Sequence, residues 1–269
     1  MERHFTTPDF DTVRYSYTTD LSPICSPIPR HCHDFYELSY IVRGTGKYIV
    51  EGMQYPIRPG ALMILCPQTF HYVELEAGQP YERYIIHFYP DALTEEARYL
   101  LSCFKERQAA GEGNFYAESD LPPDFSEMVS RFEPRLPLPE RELNLLISLR
   151  LSEILLILTQ TKSFPGERMD NRLGARVVLY LNENIREKIG LDELARIFFV
   201  SKYYLCRTFK EHTGESIHGY LNRKRVMLAK QLIDGGETAA NAAYRAGFGD
   251  YSSFFRAYKK LIGHAPSEK

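Results

Sequence analysis

SKYYLCRTFKEHTG (201–214) and DYSSFFRAYKKLIG (250–263) lie at a constant offset of 49 residues and match position by position. Leu205 meets Phe254, Arg207 meets Arg256, Phe209 meets Tyr258, Lys210 meets Lys259 and Gly214 meets Gly263. In each segment an apolar pair at i and i+4 marks the buried stripe of a helix, and the Arg and Lys fall off that stripe. Ser201 and Asp250 are favoured helix-capping residues, and Gly214 and Gly263 stand where a helix stops. Ahead of each lies a shorter helical run and a turn, LDELARIFFV and TAANAAYRAGFG, and a long helical stretch from about Ile217 to Leu232 joins the two halves. Helix, tight turn, then a capped helix with basic residues on its open side is the helix-turn-helix arrangement, here present twice. Chance repetition of an amphipathic helix would not align cap, apolar pair, Arg, Lys and stop in one register.

The charge distribution agrees. Residues 172–269 hold 17 Lys+Arg against 10 Asp+Glu, a net of +7, while residues 1–171 carry −9 and the whole chain −2. A basic C-terminal half suits a polyanionic partner, and two domains with unrelated surface charge are the alternative. The 269 residues suffice for two cores, and 44% hydrophobic with 25% charged residues is ordinary for a soluble globular protein. MERHFTTPDF has charges of both signs and no apolar stretch, so no secretory leader is expected. The longest apolar run, LNLLISLRLSEILLIL, is interrupted by Arg150 and Glu153, which argues against a membrane span. Cysteines at 25, 32, 66, 103 and 206 have no CxxC spacing and read as reduced thiols, which points to the cytoplasm.

Upstream of the repeat the texture changes. Residues 1–30 are rich in Pro, Thr and Ser and read as an arm or an edge segment. From about 31 to 90, short runs rich in Tyr, Ile and Val are punctuated by GTG (44–46), EG (51–52) and PG (59–60), which predicts a β-sandwich or barrel. Beyond about 92 the pattern turns helical, and Glu140 to Thr161 forms a candidate helix that is apolar on nearly every side. Such a helix is either fully buried or packs on its own domain and on a second copy of itself. KSFPGERMDN (162–171) fits a linker.

With LDELARIFFVSKYYLCRTFKEHTGESIHGYLNRKRVMLAKQLI and AAYRAGFGDYSSFFRAYKKLIGHAPS, the chain resembles the AraC/XylS family of transcriptional regulators over nearly its whole length. The resemblance implies that the second helix of each motif enters the major groove, in adjacent turns of the duplex. The first would present Lys202, Tyr203, Cys206, Arg207 and Lys210, and the second Tyr251, Ser252, Phe255, Arg256 and Lys259. Arg pairs with guanine through two hydrogen bonds, at about 1–3 kcal/mol of discrimination, whereas Lys on phosphate adds affinity without sequence information. Arg207 and Arg256 are therefore the specificity candidates, with a phosphate anchor as the alternative for either. Phe255 faces either a thymine methyl or the core. The family commonly has larger aliphatic residues where Ala239 and Ala242 stand. A buried Ile replaced by Ala costs about 2–5 kcal/mol where the gap does not refill. Phe248, Phe254 or Phe255 is expected to fill part of it.

The family's N-terminal half is often a small cupin-like barrel that senses a ligand and supports dimerisation. In HCHDFYELSYIVRG (31–44), His31, His33, Phe35, Glu37, Ser39 and Ile41 share one parity and so one strand face. With Gly44 this resembles the first cupin motif, HxH, then Glu, then Gly, and CPQTFH (66–71) resembles the second, ending on His71. The motif has Leu75 where cupin enzymes tend to have Asn. Three readings stay open. His31, His33, Glu37 and His71 hold a divalent metal, for which Fe, Mn, Ni or Zn would suit. Alternatively they line a pocket for a hydroxyl-rich or anionic effector, such as a sugar or an anionic metabolite, with Tyr36, Tyr40, Tyr48, Arg43, Arg83 and His87. Or they form a satisfied internal network.

The expected architecture is thus α+β in two domains. An arm (1–30) precedes a cupin-like β-barrel or jelly roll with following helices (31–161), a linker (162–171), and an all-α domain with two helix-turn-helix motifs joined by a long helix (172–269). The expected function is a cytoplasmic, homodimeric, effector-controlled regulator of transcription that is not an enzyme and needs no cofactor. It would bind double-stranded DNA, and RNA polymerase too if it activates. A metal-dependent cupin enzyme fused to a DNA-binding module is the alternative.

Overall fold

The computed structural model describes residues 12–20, 31–104, 114–132, 138–164, 166–168 and 173–266. The chain divides into two compact units, residues 1–50 with 54–167, and residues 51–53 with 168–269.

The first unit is built on two sheets. One has the order β1-β7-β2-β5-β8, formed by Val13–Asp20, Tyr81–Phe88, Tyr36–Arg43, Leu62–Leu65 and Phe115–Tyr116. The other has the order β6-β3-β4-β9, formed by His71–Leu75, Gly46–Val50, Met53–Ile57 and Glu167–Arg168. The strands therefore group as two sheets of a jelly-roll type and do not close into a single ring. Strand β2 lies between β7 and β5, antiparallel to both. Its even residues, Tyr36, Leu38 and Tyr40, join a hydrophobic core with Phe88, Phe104, Phe125 at the start of the short helix α1 (Phe125–Ser130), and the buried side of helix α2 (Glu140–Gln160). Its odd residues, Glu37, Ser39 and Ile41, lie on the opposite face and are buried too. Gly44 follows with φ +143°, and a Cβ there would sit 2.6 Å from the Tyr81 ring, so glycine is required.

Residues 13–20 of the expected arm are the edge strand β1, paired with β7 along their whole length, while 1–11 and 21–30 lie outside the described residues. In the expected linker, Phe164 bridges Phe115 and residues 167–168 form β9, so these positions are held by sheet hydrogen bonds; residues 165 and 169–171 lie outside the described set. Helix α2 is not fully buried. Ile147, Leu151, Ile154, Leu155 and Leu158 enter the core, while Leu145, Leu149 and Leu156 stay about half exposed or more. No helix among the described residues is long and apolar enough to cross a membrane.

The second unit is helical: α3 (Leu173–Glu183), α4 (Leu191–Ile197), α5 (Lys202–Thr213), α6 (Ile217–Asp234), α7 (Ala239–Arg245) and α8 (Tyr251–Ile262). The caps read from the sequence are formed. Ser201 accepts from the Tyr204 amide and Asp250 from the Ser253 amide, and both helices end on a left-handed glycine, Gly214 at φ 81° and Gly263 at φ 93°. Around Ala242 the gap is filled by Phe248 and Phe254, whose rings lie 5.3 Å apart, with Tyr258 at 5.4 Å from Phe254. Phe255 is half-buried and takes no part in that filling.

This packing makes Phe254 the keystone of the second motif. Phe254→Ala should cost about 3–5 kcal/mol in chemical denaturation of the C-terminal unit, and Phe255→Ala well under half of that. Equal losses would show that the aromatic filling is misassigned.

Candidate functional site

Two sets of side chains carry the chemistry. The first lies on helices α5 and α8. Leu205 and Phe209, like Phe254 and Tyr258, are fully or nearly fully buried, and this fixes which side of each helix faces outward. Lys202, Tyr203, Arg207 and Lys210 are exposed on α5, with Cys206 half-buried between them. Tyr251, Ser252, Arg256 and Lys259 are exposed on α8, with Phe255 half-buried. All ten positions named from the sequence therefore fall on the outward side or its border. Some are already engaged. Lys202 Nζ lies 2.8 Å from Asp192, Arg207 Nε lies 3.7 Å from Glu211, and the Arg207 guanidinium lies 5.6 Å from the Tyr204 ring centre. These exposed pairs are weak and exchangeable.

The second set lies between the two sheets of the first unit, on the odd face of β2. Cross-strand register sets Glu37 opposite His87 on β7 and Ser39 opposite Ile85. From the facing sheet, Tyr48 on β3 donates to Glu37 Oε1 at 3.2 Å. Glu37 Oε2 lies 2.9 Å from His33 Nε2, 3.0 Å from His87 Nε2 and 3.9 Å from His71 Nε2. Burial works to raise the Glu37 carboxyl, but the hydrogen bonds from His33 and His87 outweigh it and hold the group well below the usual carboxylate range. Burial pushes the His71 imidazole down to about 4, against the attraction of Glu37, so it is neutral at pH 7. The Tyr48 hydroxyl is driven well above its ordinary value by burial and by the Glu37 charge.

Arg83 completes the arrangement. Its guanidinium lies 4.8 Å from the Tyr81 ring centre and interacts electrostatically with Tyr48 and Glu37. Arg83 Nε and Ser39 Oγ are buried with no hydrogen-bond partner among the described residues. An unpaired buried donor costs about 1–3 kcal/mol.

His33, Glu37, Tyr48, His71, Arg83 and His87 are thus brought together, and three expected members are not. Tyr40 lies on the even face of β2 and packs on Phe125 with ring centres 5.9 Å apart. Tyr36 lies on the same even face, against Phe88 and Phe104. Arg43 follows an irregularity in the β2–β7 register and points outward to pair with Glu82 at 3.2 Å. His31 is exposed and sits at the edge of the cluster; its backbone bridges to His71 and its ring lies 4.3 Å from the His71 ring. Ser39 and Tyr81 were not singled out as pocket residues. Parity with Glu37 would have found Ser39, and parity with Arg83 would have found Tyr81. Among the described residues, two groups of potential metal ligands have donors mutually within 4.8 Å: His33 with Glu37 and His87, and His31 with His33 and His71.

A family model described as the AraC-like ligand binding domain matches residues 26–155, and one described as a helix-turn-helix domain matches residues 194–269. An HTH-type transcriptional regulator of Bacillus subtilis, YbfI, is 27% identical over 245 residues, covering 85% of this chain and 82% of its own. The transcriptional activator RhaS of an Enterobacter strain is 24% identical over 242 residues, covering 89% of this chain and 86% of its own. Among solved structures, ToxT of Vibrio cholerae O395 aligns over 96% of each chain at 14% identity and a TM-score of 0.37. With a ligand-binding unit ahead of a doubled DNA-reading unit, the chain belongs to the AraC family of transcriptional regulators.

Proposed function

We propose that this regulator reads DNA through α5 and α8, responds to a small oxygen-rich anion held between its sheets, and works as a homodimer by binding alone, without turnover. The observation that carries the DNA assignment is the equivalence of Arg207 and Arg256. Both are exposed at the same register of two helices whose caps and buried pairs also match. Lys210 and Lys259 sit one turn further along, where they serve phosphates.

For the effector, the unpaired Arg83 Nε and Ser39 Oγ favour a carboxylate or a sugar acid over an apolar ligand. For the dimer, Leu145, Leu149 and Leu156 are spaced by four and seven residues and form one exposed apolar stripe on α2, which a second copy of the helix would cover. Effector binding then biases the placement of the DNA-binding units, and by linkage operator DNA changes effector affinity by the same factor.

Three measurements test these assignments. Arg207→Ala and Arg256→Ala should each lose about 1–3 kcal/mol on operator DNA and relax specificity, while Lys210→Ala should weaken all DNA alike and lower the salt slope by about one. An arginine variant that weakens operator and unrelated DNA equally would be a phosphate anchor instead. In a thermal-shift screen of sugar acids and short carboxylates, hits should stabilise the wild type and not Arg83→Gln; hits that stabilise both remove Arg83 from the site. Leu149→Asp should convert dimer to monomer in sedimentation, and an unchanged oligomer would place the interface elsewhere.

A further inference from the structure

Hydrogen bonding accounts for the nitrogens around Glu37 only with a second proton on His33, and it leaves His71 Nε2 out. His33 Nδ1 lies 3.0 Å from the Phe35 carbonyl oxygen and its Nε2 lies 2.9 Å from Glu37 Oε2. A carbonyl and a carboxylate both only accept, so His33 either carries a proton on each nitrogen or turns its Nε2 lone pair to a cation. His71 sharpens the choice. Its Nδ1 lies 2.9 Å from the Thr69 carbonyl, which fixes the proton there and leaves Nε2 as a bare lone pair. That lone pair stands 3.9 Å from the Glu37 carboxylate, beyond hydrogen-bond reach. Two electron-rich atoms facing each other across a gap repel, and a cation beside them turns the repulsion into two bonds.

We propose that His33, Glu37 and His87 bind one divalent first-row transition-metal ion, with His71 as a supporting nitrogen. Two histidines and one carboxylate suit Fe, Mn, Ni or Zn. Metal–ligand bonds of about 2.0–2.2 Å at ordinary angles place neighbouring donors about 3.0–3.4 Å apart. The 2.9 Å and 3.0 Å separations from Glu37 Oε2 to His33 and His87 need only slight adjustment to meet that spacing. The Phe35 and Thr69 carbonyls orient the His33 and His71 rings, as outer partners of metal-binding histidines do. This set replaces His31 of the HxH pattern by His87, because the β2–β7 register brings His87 opposite Glu37 while His31 remains exposed. The DNA and effector assignments do not depend on it.

The test uses untagged full-length protein, stripped of metal and titrated separately with Mn2+, Ni2+ and Zn2+, with bound metal per chain and melting temperature as readouts. One ion per chain and a rise in melting temperature are expected for the wild type and for His31→Ala. His87→Ala, at a side chain 26% exposed and so tolerant of change, should weaken binding at least about 100-fold and abolish the rise. Glu37→Gln, which keeps size and hydrogen-bonding capacity, should do the same. No metal bound by the wild type would overturn the proposal, as would binding undiminished in His87→Ala or lost only in His31→Ala.

Discussion

Strand β2 has two buried faces, and the first unit is organised around that constraint. A strand paired on both edges, with a helical layer on one side and a second sheet on the other, has no solvent side for its polar residues. Its side chains are sorted by parity. Tyr36, Leu38 and Tyr40 supply the apolar core under α2, and Glu37 and Ser39 are left between the sheets. An ionised carboxylate there persists only if its surroundings compensate the lost hydration. His33 and His87 on one oxygen and Tyr48 on the other do so, and this requirement gathers side chains from β3, β7 and the segment before β2 into one cluster.

The second unit solves a different problem. A helix that reads DNA must keep its outward side hydrophilic, so its place depends on a narrow apolar stripe and on well-defined ends. In α5 and α8 the stripe is a buried pair one turn apart, and the ends are held by a side-chain cap and a left-handed glycine. The two motifs reach the same result with different interiors. Leu205 packs beside Phe209 in one, and in the other a cluster of aromatic rings compensates for the small Ala242 and Ala243.

What was legible in the sequence follows from the range of each interaction. Caps, stops and i, i+4 pairs are local, so α5 and α8 could be bounded from residues 201–214 and 250–263. The parity of 31–41 was legible too, and applied to Tyr36 and Tyr40 it would have set both apart from the pocket in which they were expected. The outward turn of Arg43 was not, because it follows a strand irregularity that no single residue announces. Likewise, His87 becomes a neighbour of Glu37 only through cross-strand register between segments fifty residues apart. The half-exposed character of α2 was open for the same reason, since periodicity cannot say how many of its sides find a partner in the same chain.

The ion pair between Lys202 and Asp192 has a consequence for counting contacts by salt titration. Salt slopes measure the small ions expelled when protein charges neutralise phosphates. A lysine already neutralised by a neighbouring carboxylate exchanges one anion for another when it turns to the duplex, and the carboxylate it abandons takes up a cation from solution. If Lys202 turns to a phosphate on the proposed DNA face, the slope would therefore understate the phosphates that α5 touches.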